Sequence, residues 1–134
     1  MTEPVEVLKG AYAAWKQSRG AGVDDWLAIL APDAKLGSLA EGAPGAEFSQ
    51  GGEGHEAVRR YLERLNADWE MITFDMDDYI ADGDRVAVMG HCSWRNRQSG
   101  RVISTKKADF WRFRGGKVVE FFEFYDTAEV RGLT

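Results

Sequence analysis

The sequence is poorest in the residues that build crosslinks and metal centres. A single cysteine, Cys92, has no partner for an internal disulfide, which makes a reducing compartment the simplest reading. Two histidines, His55 and His91, lie far apart and, with one cysteine, give no metal-ligand spacing. Lys and Arg never run longer than two and the net charge is −5, which argues against nucleic-acid and anionic-membrane partners. No window approaches the ~18 apolar residues of a membrane span, and MTEPVEVLKG at the start has neither a basic nor an apolar signal region. A soluble, cytoplasmic protein without metal or cofactor is therefore expected. There is no repeat, no low-complexity tract and no dinucleotide or Walker glycine motif. Gly51-Gly52-Glu53-Gly54 precedes a helical pattern, but without the lysine and preceding strand of a phosphate loop. Ser38, Ser93 and Ser104 stand in no nucleophile-elbow context.

What the chain does have is apolar bulk. Of 134 residues, 44% are apolar, enough for one domain over 1–134 with a core that needs no staple. Five Trp and seven Phe suit a rich core or a ring-lined cavity.

The first half reads as helices. Val5, Leu8, Tyr12 and Trp15 recur at helical spacing over 4–18, with Thr2 as the cap and Pro4 in the first turn. A second, shorter helix begins near Asp24, carries Trp26, Leu27 and Leu30, and stops at Pro32-Asp33. A short strand over 34–39 and a glycine-rich loop over 40–54 precede a third helix over 54–68. After residue 70 the period becomes two. Four strands over 71–81, 85–97, 101–114 and 117–126 form a meander, broken at Asp82-Gly83-Asp84, Gln98-Ser99-Gly100 and Arg114-Gly115-Gly116. Helices followed by an antiparallel sheet define an α+β domain, with three N-terminal helices closing one face of a curved sheet.

Within ADFWRF (108–113), Asp109 is an acid in a row of large apolar residues. Alternation puts Asp109, Trp111 and Phe113 on one face. Such an acid is at a sheet margin, paired with a base such as Lys107, Arg112 or His91, or kept protonated. A three-residue loop at 114–116 would set Asp109 opposite Phe121 and Lys107 opposite Glu123. An odd loop at 98–100 would bring His91 beside Asp109; an even one would turn that strand over. Both sheet faces are substantially apolar. One meets the helices, and a homodimer across the other is the natural way to cover it. Polar groups among rings on the helix-covered face suggest a pocket for a small apolar ligand.

The order of elements, with GHEAVRRYL at 54–62 and DFWRFRGGKVVEFFEFYD at 109–126, resembles the NTF2-like superfamily. The likeness is strongest to its ketosteroid-isomerase and SnoaL-like polyketide-cyclase branch, over about residues 5–127. The resemblance implies a cone: a bent sheet wrapped around helices, an apolar cavity at its open end, and dimers across the outer face. It implies an oxyanion-binding tyrosine at Tyr12 and a protonated acid at Asp109, the device known from ketosteroid isomerase. The position of the usual general base reads Ser38, so Glu41, His91 and Glu123 are the replacement candidates for a base. Trp15, Met89, Trp111, Phe113, Phe121 and Tyr125 are expected to line the cavity. The activity implied is proton abstraction from a small apolar carbonyl compound with enolate stabilisation, as in an isomerase, cyclase or dehydratase. The alternatives are a non-catalytic binding domain and an epoxide hydrolase, the last needing Arg95 or Arg112 in the cavity. His55 is expected to be a solvated helix end.

Overall fold

The computed structural model describes residues 3–132. The apolar stripe of helix α1 (Pro4–Gln17) is buried at Leu8, Ala11, Tyr12 and Trp15, as its spacing predicts. Thr2, the expected cap, lies outside the described residues; Glu3 takes the N-cap position without a side-chain bond. Helix α2 is only Val23–Leu27 and buries Trp26. Helix α3 (His55–Asp68) buries Val58, Tyr61, Leu62 and Leu65.

Two boundaries differ from expectation. Pro32-Asp33 does not stop a helix; it lies inside strand β1 (Leu30–Ser38), which starts four residues earlier than the pattern suggests. The pairing of β1 shifts register between Leu30 and Lys35, and an irregularity of this kind is where a sheet tolerates proline. After β6 the chain also forms helix α4 (Thr127–Arg131), capped by the Asp126 carboxylate, which accepts from the Glu129 N–H at 3.1 Å. The Arg101 guanidinium donates to the carbonyls of Glu129 and Val130 at 2.8 and 2.6 Å and so ties down its far end.

The meander is present: β3 (Trp69–Asp82), β4 (Arg85–Asn96), β5 (Val102–Arg114) and β6 (Lys117–Tyr125). With the short β2 (Gly52–Glu53) the sheet runs β2-β1-β6-β5-β4-β3. All its pairs are antiparallel except β1 with β6, which run parallel. Register shifts in β3–β4, between Met71 and Thr73 and between Met76 and Asp78, bend the sheet around the helices. At the second of these Gly90 is required, because a Cβ there would stand 1.9 Å from the Asp75 carbonyl oxygen. The architecture is the expected α+β cone, with its buried side chains in one cluster between helices and sheet.

Register decides which residues meet. Two residues, Gly115 and Gly116, form the β5–β6 turn, so Arg114 faces Lys117 and Phe113 faces Val118. A shift beyond Arg112 then pairs it with Glu120. Together these slide the partners by two from the expected alignment: Asp109 stands opposite Glu123, Trp111 opposite Phe121, and Lys107 opposite Tyr125. A slide of two keeps the side chains from Lys107 to Arg112 on their expected face, while the slide of one at Phe113 turns Val118 into the core.

The β4–β5 loop is even. Asn96 accepts from Gly100 N–H and donates to the Arg101 carbonyl, leaving the four residues 97–100 as the turn. The Asn96 side chain accepts from the N–H groups of Gln98 and Ser99, which fixes that turn. Strand β4 is therefore turned over relative to the odd-loop expectation. Val88, Cys92 and Trp94 face the core; His91 and Met89 do not.

Candidate functional site

Between helices and sheet lies a cavity of about 110 Å³. All five tryptophans of the chain line it, among them Trp15 from α1, Trp26 from α2 and Trp111 from β5. Trp26 and Trp111 stack with centroids 5.3 Å apart, and Tyr12 meets Trp26 edge-on at 5.1 Å. Phe48, from the single 3-10 turn Glu47–Ser49 of the glycine-rich loop, and Val130 of α4 complete the wall.

A row of buried polar groups crosses three adjacent strands beside this apolar space. Ser38 on β1 is paired with Glu123 on β6, which is paired with Asp109 on β5. Asp109 is 1% exposed and Glu123 4%. The Lys107 ammonium bridges the two acids. It donates to one Asp109 oxygen and, at 2.9 Å, to Glu123 Oε2. The Tyr12 hydroxyl donates to the other Asp109 oxygen and accepts from Trp111 Nε1 at 3.0 Å. Both oxygens of Asp109 thus act as acceptors, one of them for a lysine. The expectation of an uncharged, hydrogen-bond-donating Asp109 gives way to a buried ion pair. Burial and the neighbouring Asp109 charge push the Tyr12 hydroxyl well above the ordinary phenol range.

The raised acid is one strand over. Burial pushes the Glu123 carboxyl up to about 8, while the nearby Ser38 hydroxyl pulls the other way. Its Oε1 is buried and has no hydrogen-bond partner, and the same holds for Ser38 Oγ and the Tyr125 hydroxyl oxygen. Burial pushes the Tyr125 hydroxyl to about 12, with the Glu123 charge raising it further and the Ser38 and Ser49 hydroxyls lowering it. Glu123 and Tyr125 line the cavity; Ser38 stands beside them outside its lining.

Of the expected site residues, Tyr12, Asp109, Glu123, Trp15, Trp111, Phe121 and Tyr125 come together here. Three do not. His91 is on the outer face with its side chain 61% exposed, 3.7 Å from Asp75. Met89 lies on that same outer row, opposite Ala108. Glu41 is exposed in the glycine-rich loop at positive φ. Phe113 is buried in the core but not in the cavity wall. Arg95 pairs with Glu70 and Arg112 with Glu120, both outside the cavity. His55 opens α3 with its Nε2 3.0 Å from the Leu30 carbonyl. Sequence reasoning missed Trp26, Trp69 and Trp94 as wall residues; the period-two row Val88-Cys92-Trp94 was the available signal for the last. Among the described residues no group of three or more His, Cys, Asp or Glu could hold a metal ion. No helix there is long and apolar enough to cross a membrane.

A bent sheet around helices with a ring-lined cavity is the NTF2-like architecture, and known structures agree. An NTF2-like protein from Burkholderia thailandensis E264 superposes with a TM-score of 0.84 at 28% identity, covering 98% of this chain and 97% of that one. A protein of ketosteroid isomerase-like fold from Catenulispora acidiphila DSM 44928, solved with trimethylamine, gives 0.78 at 19% identity over 96% and 91%. A protein from Mesorhizobium loti described as a SnoaL-like polyketide cyclase gives 0.76 at 18% identity over 92% and 100%. The SnoaL-like domain model matches residues 8–121, and the chain belongs to that family. No curated protein matches the chain. The family and fold are consistent with an isomerase- or cyclase-type role or with ligand binding.

Proposed function

We propose that this protein is a cofactor-independent acid–base enzyme in which Glu123 exchanges a proton with a small apolar carbonyl compound. The observation that carries this reading is the Glu123 carboxyl itself. One oxygen is held by Lys107, and the other is buried and unpartnered in an apolar cavity. Buried polar atoms in folded proteins rarely lack partners, and those that do call for an explanation, a catalytic role among them. A carboxyl with a value of about 8 is well matched to accepting and returning a proton near neutral pH.

The balance of the step is simple. A C–H bond next to the carbonyl breaks, the proton goes to Glu123 Oε1, and the electron pair moves onto the carbonyl oxygen. Negative charge passes from Glu123 to the substrate oxygen, so the cavity carries the same total charge before and after. Lys107 stays paired with Asp109 throughout. Return of the proton to a different carbon gives the isomer. A cavity of about 110 Å³ suits a ligand of roughly one ring, the scale at which a small apolar cavity takes up benzene, rather than a steroid.

A second reading is favoured by one feature. Asp109, Lys107 and Glu123 form an acid–cation–acid chain, with lysine in place of the arginine expected for epoxide hydrolysis. A β,γ-unsaturated cyclohexenone and cyclohexene oxide separate the two. Conjugation of the enone, followed by ultraviolet absorbance and reduced about 10²–10⁴-fold in Glu123→Gln, supports the first reading. Diol formation from the epoxide supports the second. Binding of both without turnover leaves a non-catalytic ligand-binding domain.

We also propose that the outer sheet face pairs with a second copy of the chain. Phe110 and Phe124 are 48% and 40% exposed there, with ring centroids 5.5 Å apart, and Phe122 continues the patch. Gly37 lets the Phe122 ring lie against the sheet, since a Cβ at that position would be 2.6 Å from it.

A further inference from the structure

We infer that the substrate oxygen is received by Tyr125, not by Tyr12, and that the ligand is a planar, single-ring compound with a carbonyl or enol oxygen. The inference rests on the reading of Glu123 as the proton-exchanging group.

The two tyrosines differ in what their hydroxyls have left to give. Tyr12 has one proton, and it is committed to Asp109; its oxygen already accepts from Trp111. Freeing that donor would strip the buried Asp109 of one of its two partners. The Tyr125 hydroxyl is buried and closes no hydrogen bond, although the Ser38 and Ser49 hydroxyls stand near it. It lies two residues from Glu123 on the same face of β6, and both side chains line the cavity. Alternate residues of a strand stand side by side, so one ligand reaches both. An enolate oxygen at Tyr125 then sits next to the carbon whose proton Glu123 removes. A donor that is unpaired before the ligand arrives loses no protein hydrogen bond when it binds, the condition for a preorganised oxyanion donor.

Ser38 is a positioning residue. It is 1% exposed and directly across from Glu123, its hydroxyl near that of Tyr125 without closing a bond, and it lies outside the cavity wall. It acts through those two groups. The rings define the rest of the ligand. Trp111 packs on Phe121 at 4.4 Å and stacks on Trp26, so flat faces rather than aliphatic side chains bound the cavity on this side.

The probes are 4-nitrophenol, whose neutral and ionised forms absorb differently, and toluene, which has the ring without the oxygen. Both are followed by quenching of tryptophan fluorescence in the full chain and in Tyr125→Phe, Tyr12→Phe and Ser38→Ala. The expected result is that Tyr125→Phe weakens 4-nitrophenol about tenfold, at least three times the effect of Tyr12→Phe, and leaves toluene unchanged. Ser38→Ala moves the pH midpoint of 4-nitrophenol binding upward, because the nearby hydroxyl favours the charged form of Glu123. Folding is controlled by melting temperature: Tyr125→Phe and Ser38→Ala remove unpaired hydroxyls and leave it equal or higher. An equal or larger loss in Tyr12→Phe overturns the inference, as does parallel weakening of toluene. If neither probe binds the wild-type chain, this inference and the cavity reading fall together. If Tyr125→Phe is silent while Glu123→Gln still abolishes enone conjugation, only this inference falls.

Discussion

Ser38 and Glu123 face each other directly across the parallel pair β1–β6. The resemblance to the ketosteroid-isomerase branch implies a base at the position of Ser38, and an acid with a buried oxygen that closes no hydrogen bond stands one strand away. The same row continues to Asp109 on β5 and Val88 on β4. Along this row Glu123 and Asp109 line the cavity, while Ser38 stands just outside it.

The Glu123 environment predicts a specific pH dependence of stability. Its carboxyl is raised from 4.5 to about 8 in the folded chain. Between those values the native state keeps a proton that the unfolded state has released, so stability falls as pH rises through that window and levels off above it. Denaturant unfolding of wild type and Glu123→Gln at a series of pH values isolates the contribution. The wild-type curve loses on the order of a few kcal/mol relative to the variant between about pH 4.5 and 8. Parallel curves refute the assignment.

Asp109 behaves as the anionic half of an ion pair. Replacing one partner of a buried pair leaves the other charge stranded, so Asp109→Asn is expected to cost about 3–5 kcal/mol in chemical denaturation. Tyr12→Phe removes a single donor to the same carboxylate and is expected to cost about 1–3 kcal/mol. A silent Asp109→Asn restores the neutral-acid reading.

The bend of the sheet rests on Gly90. In Gly90→Ala the new methyl meets the Asp75 backbone, and the expected loss is about 1–3 kcal/mol or more. Gly10→Ala is the contrasting case: it lies within α1 with nothing within 4 Å of the added carbon, and is expected to gain about 0.5–1 kcal/mol. The opposite signs are readable from two thermal melts.

The outer phenylalanines predict self-association. Sedimentation equilibrium of wild type is expected to give a dimer, and Phe124→Lys with Phe110→Asp a folded monomer. A wild-type monomer at all concentrations contradicts the proposed pairing.

Much of this fold was legible because local and tertiary signals agree. The stripes of α1 and α3 and the glycines at the hairpins name six of the main elements near their observed bounds. What the residues could not show is how turns count. A two-glycine turn plus one register shift sets Asp109 against Glu123, and the four-residue turn after Asn96 carries His91 to the surface. Asn96 was the visible hint, since its side chain closes that turn. Pro32 misled for a related reason, because its cost in a strand disappears where the β1–β6 register slips. The site followed the same course: its residue types were evident, but that Lys107 bridges Asp109 and Glu123 and leaves one Glu123 oxygen buried without a bond depends on the β5–β6 register.

The most direct measurement is carbon-13 NMR of the protein labelled at the glutamate side-chain carboxyls, titrated from pH 4 to 10. One carboxyl resonance is expected to titrate near 8, to vanish in Glu123→Gln, and to shift when 4-nitrophenol binds. If every glutamate titrates in the ordinary range near ~4.3, Glu123 is not the proton-exchanging group and the proposed chemistry is wrong.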